Sequence, residues 1–489
     1  MHATLTHAMP VGKASNGKAP GSTSLKSLET FLGHGHIVRS IANMFRHFQP
    51  GKIAALLLAL YGMQICAPAA APSPGLERFY IGTYTSGGSV GIYHSSLNLG
   101  TGTFGVTNLA ATTTDPSFVA LTPNRKFLYA VNESANTVSA FSVNATNGSL
   151  TFLNSRPSDG GAPAHVVVDR TGTQVIVANY SGGSITMFPI QAGGQLGVAN
   201  AHFQHPVNSL AHCTTIDASN HFAFVCDKGL NQIRCYVLDA ALGTLTTNTT
   251  LITSTPAGSG PRHMIFDPDC KRAYVICELN STIIGFNYNA TNGTLIPFQT
   301  NSTLGSAFSG NTTAEIAVHP SGKFVYGSNR GSNSIVVFTV NAADGNLTQV
   351  QQQPTGRTPR NFAIDPTGAF CIVASQDSTN VALYAINPQT GLLTATGQSL
   401  SVFKPVCILP FILQPPQPAI TLRPDTVDTF QLSISNTLNV LTYQIYRIPA
   451  LSANPVWSLL TNGSPGQTNF ALNNALDQEF FRVGVLTNY

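Results

Sequence analysis

The chain has 489 residues, 43% hydrophobic and only 9% charged, with a formal net charge of +4; a typical globular domain carries roughly 25% charged residues. That length supplies more than one domain and a large core. So small a net charge, with no run of like-signed side chains, excludes a counterion-driven nucleic-acid binder. No Cys-x-x-Cys pair and no His/Cys/carboxylate triplet has metal-ligand spacing, so neither a metal nor a cofactor is expected.

In chain order, residues 1–75 read as a leader. Ile53 to Cys66 is a mostly apolar run of 14 residues, short against the roughly 20 needed to span a bilayer. Arg46 and Lys52 precede it and the small-residue stretch Ala67–Pro72 follows. Basic flank, apolar core and small-residue exit are the parts of a secretory signal, with Met44 as an alternative start. Export is therefore expected, to a periplasm, the medium or the cell surface, with membrane contact only through an uncleaved leader.

From residue 76 onward the sequence repeats. A Gly followed two residues later by Leu or Phe recurs at Gly102, Gly148, Gly194, Gly243, Gly293, Gly345 and Gly391, in steps of 46, 46, 49, 50, 52 and 46. Most of these glycines sit in turn-type clusters between β-type runs, where a tight hairpin needs positive φ. Within the second repeat the apolar runs are Ser117–Leu121, Phe127–Val131, Thr137–Val143 and Leu150–Leu153. Four short strands per period make one propeller blade. The first repeat lacks its innermost strand: Arg78-Phe79-Tyr80 matches Lys126-Phe127-Leu128-Tyr129, one strand in. The missing piece reappears as Lys404-Pro405-Val406-Cys407-Ile408. The expected fold is all-β: a seven-bladed β-propeller over 76–411, a Pro-rich linker at 412–418, and a small β-sandwich-like domain over 419–489. A monomer is expected.

Each inner strand ends at an anchor: Thr122, Asp169, Asp217, Asp267, His319 or Asp365. The inner strand starts four or five residues before the anchor, and the next strand ends ten or eleven after it. Neighbouring strands lie about 4.8 Å apart, so both positions open on one face near the central axis. For a chain poor in charge, that face is rich in it: Glu133, His165, His212, Lys228, Arg262, His263, Glu278, Glu315, Arg330 and Arg360, with Gln376. The arginines suit carboxylate, phosphate or a developing oxyanion, and a histidine suits proton transfer at neutral pH. Glu278 can orient a His, activate water or pair with Arg262. The alternative is a structural ion-pair network that fills the channel. Gly87-Gly88-Ser89-Val90-Gly91 matches G-x-S-x-G but sits on a hairpin, whereas the nucleophile elbow needs a helix after its turn.

Several strings resemble the lactonase family of seven-bladed propellers: Ile81-Gly82-Thr83-Tyr84-Thr85, Leu128-Tyr129-Ala130-Val131-Asn132-Glu133, Pro163-Ala164-His165-Val166, Gly260-Pro261-Arg262-His263, Ala314-Glu315-Ile316 and Ser328-Asn329-Arg330-Gly331. That family includes a 6-phosphogluconolactonase type and a carboxymuconate cyclase. The resemblance implies lactone chemistry with His165, Arg262, Glu278 and Arg330 as catalytic residues. His212, Lys228, His263, Glu315, Arg360, Gln376 and Glu133 are then expected to bind a small anionic lactone. Lys228 departs from the Asp-Leu-Gly usual in relatives. Two other readings stand beside hydrolysis: a carboxymuconate-type cycloisomerase, and a noncatalytic propeller that binds a glycan or a protein.

Overall fold

The computed structural model describes residues 76–411 and, beyond them, the backbone of six strands between Ala419 and Leu486. The leader and the Pro-rich linker read from the sequence lie outside the described residues. Seven antiparallel sheets are arranged as blades, and their inner strands neighbour one another in a closed ring. Blade 2 runs outward through Pro116–Leu121, Phe127–Asn132, Thr137–Val143 and Leu150–Pro157. Blades 3 to 7 repeat that order, with inner strands Pro163–Val168, Ala211–Ile216, Pro261–Phe266, Thr313–Val318 and Pro359–Ile364. Blade 1 takes its inner strand from the far end of the repeats: Pro405–Phe411 pairs antiparallel with Leu76–Thr83. Closure in this way leaves no open edge between the first and last blades.

The seven repeated glycines all have positive φ, from 64° at Gly102 and Gly243 to 85° at Gly194. They turn the chain between the third and fourth strands, and four of them also join blades. Tyr80, Tyr129, Tyr274 and Tyr326 donate from their hydroxyls to the carbonyls of Gly148, Gly194, Gly345 and Gly391 in the next blade. Seven apolar clusters, each spanning two adjacent blades, fill the spaces between sheets. The anchors work by a local rule. Asp169 Oδ1 accepts the backbone N–H groups of Thr173 and Gln174, and Asp217 and Asp267 bind the groups four and five residues on in the same way. A short polar side chain thus caps these three turns between first and second strands.

One irregularity decides where side chains point. Near the start of every inner strand the ladder slips, so that unpaired residues stand against the neighbouring strand. Those residues are Ser117, Ala164, His212, Arg262, Ala314 with Glu315, Arg360 and, on the closing strand, Val406. A bulge bends its strand and re-aims a side chain, and here it does so seven times around one axis.

After the propeller, Ala419–Pro424, Thr429–Ser435 and Asn469–Asn473 form one three-stranded antiparallel sheet. Ser458–Asn462, Thr442–Ile448 and Phe480–Leu486 form another.

Candidate active site

Two rings of residues meet at one mouth. The first comes from the bulges: Ser117, Ala164, His212, Arg262, Arg360 and Val406 line a single small cavity. The second comes from the residue that follows each second strand: Tyr84, Glu133, Tyr180, Lys228, Glu278, Arg330 and Gln376. Each of these donates its backbone N–H to a carbonyl just before the adjacent inner strand. The repeat fixes this backbone hydrogen bond, and the blades differ in the side chain they present there.

Glu278 is the electrostatic centre. Its Oε1 lies 2.5 Å from Lys228 Nζ and 3.1 Å from Arg330 Nη2, and its Oε2 lies 3.1 Å from Arg262 Nε. Burial works to raise the Glu278 carboxyl, but Arg262, Arg330 and Lys228 outweigh it and pull it down to about 2. It is therefore a counter-ion at neutral pH, with no proton to give and little basicity. Burial, then Arg330, lowers the Arg262 guanidinium to about 10 against the pull of Glu278, so it stays charged. Arg262 Nη1 donates to the Ala314 carbonyl at 2.6 Å. Its Nε–H is close to Glu278 but not aimed at it, and has no hydrogen-bond acceptor in the protein.

Arg360 is paired differently. Its Nη2 donates to the Tyr84 hydroxyl at 2.8 Å and its guanidinium lies 5.2 Å from the centre of that ring. Tyr84 in turn donates to Glu133 Oε2 at 2.8 Å. Among the described residues Arg360 has no carboxylate within ion-pair distance. Burial raises the Tyr84 phenol, so it remains a neutral donor.

Three imidazoles pack together. His263 has its ring centre 5.5 Å from that of His165 and 5.1 Å from that of His212. Burial first, and then His263 and Arg262, hold His165 and His212 well below the usual imidazole range. Burial also lowers His263, with Glu315 opposing. All three are neutral at neutral pH.

The structure brings most of the expected residues to this mouth. Glu133, His212, Arg262, His263 and Arg360 line the cavity, and Glu278, Lys228 and Arg330 form the ion-pair group beside Arg262. Lys228 also donates to the Tyr180 hydroxyl at 2.9 Å, so it is not a free anion receptor. Glu315 is bonded to His263 at 2.8 Å. His165 lies against Phe118, ring centres 4.1 Å apart, and does not line the cavity. Gln376 turns its amide nitrogen to Asp377, 3.2 Å away on the exposed side. Tyr84 and Asn361 were not singled out from the sequence. Tyr84 occupies the same place after its second strand as Glu133 and Glu278 do, but its blade begins one strand late, so the offset from an anchor does not apply to it.

A profile of the family described as lactonase, 7-bladed beta-propeller, matches residues 78–410. A 6-phosphogluconolactonase of Bacillus subtilis is 34% identical over 294 residues, covering 56% of this chain and 81% of that protein. Among solved structures, a Bacteroides fragilis protein crystallised under a provisional 6-phosphogluconolactonase name matches with a TM-score of 0.66 at 33% identity, covering 71% of this chain and 100% of that one. The periplasmic gluconolactonase of Pseudomonas aeruginosa matches with a TM-score of 0.66 at 27% identity, covering 69% of this chain and 99% of that one.

Proposed function

The chain belongs to the lactonase family of seven-bladed β-propellers, and from that premise we propose that its mouth hydrolyses a carboxylated or sugar-acid lactone of the 6-phosphogluconolactonase type. The observation that carries this reading is Arg262: a buried guanidinium on the cavity wall, fixed by Glu278 and Ala314, with an N–H that has no acceptor in the protein. Such a donor suits a lactone carbonyl whose oxygen becomes negative as water adds. Removing one preorganised oxyanion donor commonly costs ~10²–10³ in kcat. Water attacks the carbonyl carbon, a neutral imidazole of the His165/His212/His263 group takes its proton, and the ring C–O bond breaks to give a hydroxy acid.

Two serines argue for water as the nucleophile. Ser89 in the G-x-S-x-G match is bonded to Thr83 Oγ1 at 2.6 Å between two strands. Ser209 stands near His205 and Asp227, but its hydroxyl donates to Asp227 Oδ2 at 2.7 Å, so the histidine does not activate it. Arg360, without a carboxylate partner, is the group for the substrate's own anion.

The apolar run Ile53–Cys66 and the periplasmic relative support action outside the cytoplasm. A phosphorylated lactone made inside the cell would not reach it there, which favours a carboxylated or sugar-acid lactone. The test is turnover of a panel of γ- and δ-lactones, neutral and anionic, by the wild type and by Arg360→Leu. Loss of preference for the anionic member of a matched pair supports the reading. No turnover of any lactone by the wild type overturns it in favour of a binding propeller.

A further inference from the structure

We propose that His263 is the general base of this reaction and that Glu315 and Asn361 are its positioning residues, in one hydrogen-bonded chain that ends on the closing strand of the ring. The inference rests on the lactonase reading of the same mouth and adds to it which histidine acts and what holds it.

The chain crosses four consecutive inner strands. His263 Nδ1 lies 2.8 Å from Glu315 Oε1, and the Ile316 N–H donates to the same oxygen at 3.0 Å. Asn361 Nδ2 donates to Glu315 Oε2. The Asn361 carbonyl oxygen accepts the Ile408 N–H at 2.7 Å. A backbone N–H can only donate, so the last bond fixes which way the Asn361 amide faces, and its NH₂ must then point at Glu315. With the Ile316 N–H on Oε1 and the Asn361 NH₂ on Oε2, Glu315 meets His263 as an acceptor, so Nδ1 of His263 carries the proton and Nε2 is the bare acceptor. That Nε2 is buried, has no partner in the protein, and belongs to a side chain on the cavity wall beside Arg262.

Neither other imidazole is wired this way. The backbone N–H of Thr214 donates to His165 Nδ1 at 3.4 Å, which leaves the proton on Nε2 and makes that edge a donor. His212 Nδ1 is buried without a partner, and no carboxylate is bonded to it. The groups facing His263 are His165, His212, Arg262, Glu315 and Glu278. In the step itself, Nε2 takes a proton from the attacking water, Glu315 stabilises the imidazolium, and the proton passes to the ring oxygen as the C–O bond breaks.

The experiment uses the full-length protein with ¹⁵N-labelled histidine, in wild type, Glu315→Gln and Glu315→Asp. Nitrogen shifts and couplings report which ring atom of His263 carries the proton, with no substrate present, and His263→Asn gives the assignment. Expected are the Nδ1–H form in the wild type and the Nε2–H form in Glu315→Gln, whose amide can present an N–H to Nδ1. With a turned-over lactone, kcat in Glu315→Gln should fall on the order of 10²–10⁴ with KM little changed, as wrong-tautomer variants of His–carboxylate pairs do. The acidic limb of its kcat/KM profile should move to lower pH, and Glu315→Asp should recover part of the loss. An Nε2–H tautomer in the wild type, or wild-type kcat in Glu315→Gln, overturns the proposal. A wild type with the Nδ1–H tautomer that turns over no lactone overturns the underlying function instead.

Discussion

Glu278 is the point at which the charges of the proposed site are tied together. It holds three cations that would otherwise repel one another in a buried space. Glu278→Gln should cost roughly 3–5 kcal/mol, the usual consequence of removing one side of a buried charge cluster, read as a lower midpoint in urea. Its pH dependence has a definite sign. The folded carboxyl sits at about 2 against 4.5 for the free group. The stability it contributes is therefore full above about pH 4.5 and is lost as pH falls toward 2, on the order of 3 kcal/mol. Glu77 has the opposite sign. Burial, and then Asp365, raise its carboxyl well above the ordinary value, and both its oxygens lack hydrogen bonds. The unfolded chain ionises there first, so stability falls as pH rises past the free value. Glu77→Gln should raise the unfolding temperature at pH 7 and leave it unchanged at pH 4. The sequence showed that Arg262, Glu278 and Arg330 belong to one face, because equal offsets recur from blade to blade. It could not show that Glu278 is saturated by cations or that Glu315 grips His263, since the contacts of Glu278 with Lys228 and Arg330 and of Glu315 with His263 cross blades, and all depend on rotamers that no periodicity encodes.

At the level of the strand, two devices recur, and only one leaves a trace in the sequence. The anchor is visible as an Asp at a fixed place in most repeats. Asp169 accepts from Thr171, Thr173, Gln174 and Asn220. Asp169→Ala should therefore cost roughly 2–4 kcal/mol, from several lost charge-assisted hydrogen bonds and the donors left behind, while kcat changes little because the turn lies away from the mouth. A parallel measurement of denaturation and turnover checks both halves. The bulge is not visible in this way. It adds a residue without a turn signal. Yet the bulge brings Arg262 and Arg360 onto the cavity wall. The residue after the bulge is His165 in blade 3 and His263 in blade 5, and of the two His263 lines the cavity, so equal offsets made the face legible but not the choice of histidine.

The whole ring depends on a strand taken from its far end. Pro405–Phe411 pairs with Leu76–Thr83, packs Cys407 and Phe411 into the space between blades 1 and 2, and donates the Ile408 N–H to the side-chain oxygen of Asn361. Truncation after Val402 should leave the edge of Leu76–Thr83 open and two apolar clusters exposed. The expected product is insoluble or oligomeric on size exclusion; a soluble monomer with native circular dichroism would show that closure is dispensable. This closure was readable in the sequence, because the first repeat visibly lacks a strand that the last segment supplies. The same geometry gathers one side chain per blade at a common opening, and on that convergence the enzymatic reading stands. Its most direct test is stoichiometric acid release from a lactone that carries a free carboxylate, by the wild type and by Arg262→Ala. Expected are one proton per lactone in the wild type and a loss of roughly 10²–10³ in kcat/KM in the variant, with its circular dichroism unchanged. Equal rates in the two proteins would remove Arg262, and with it the mouth, from the chemistry.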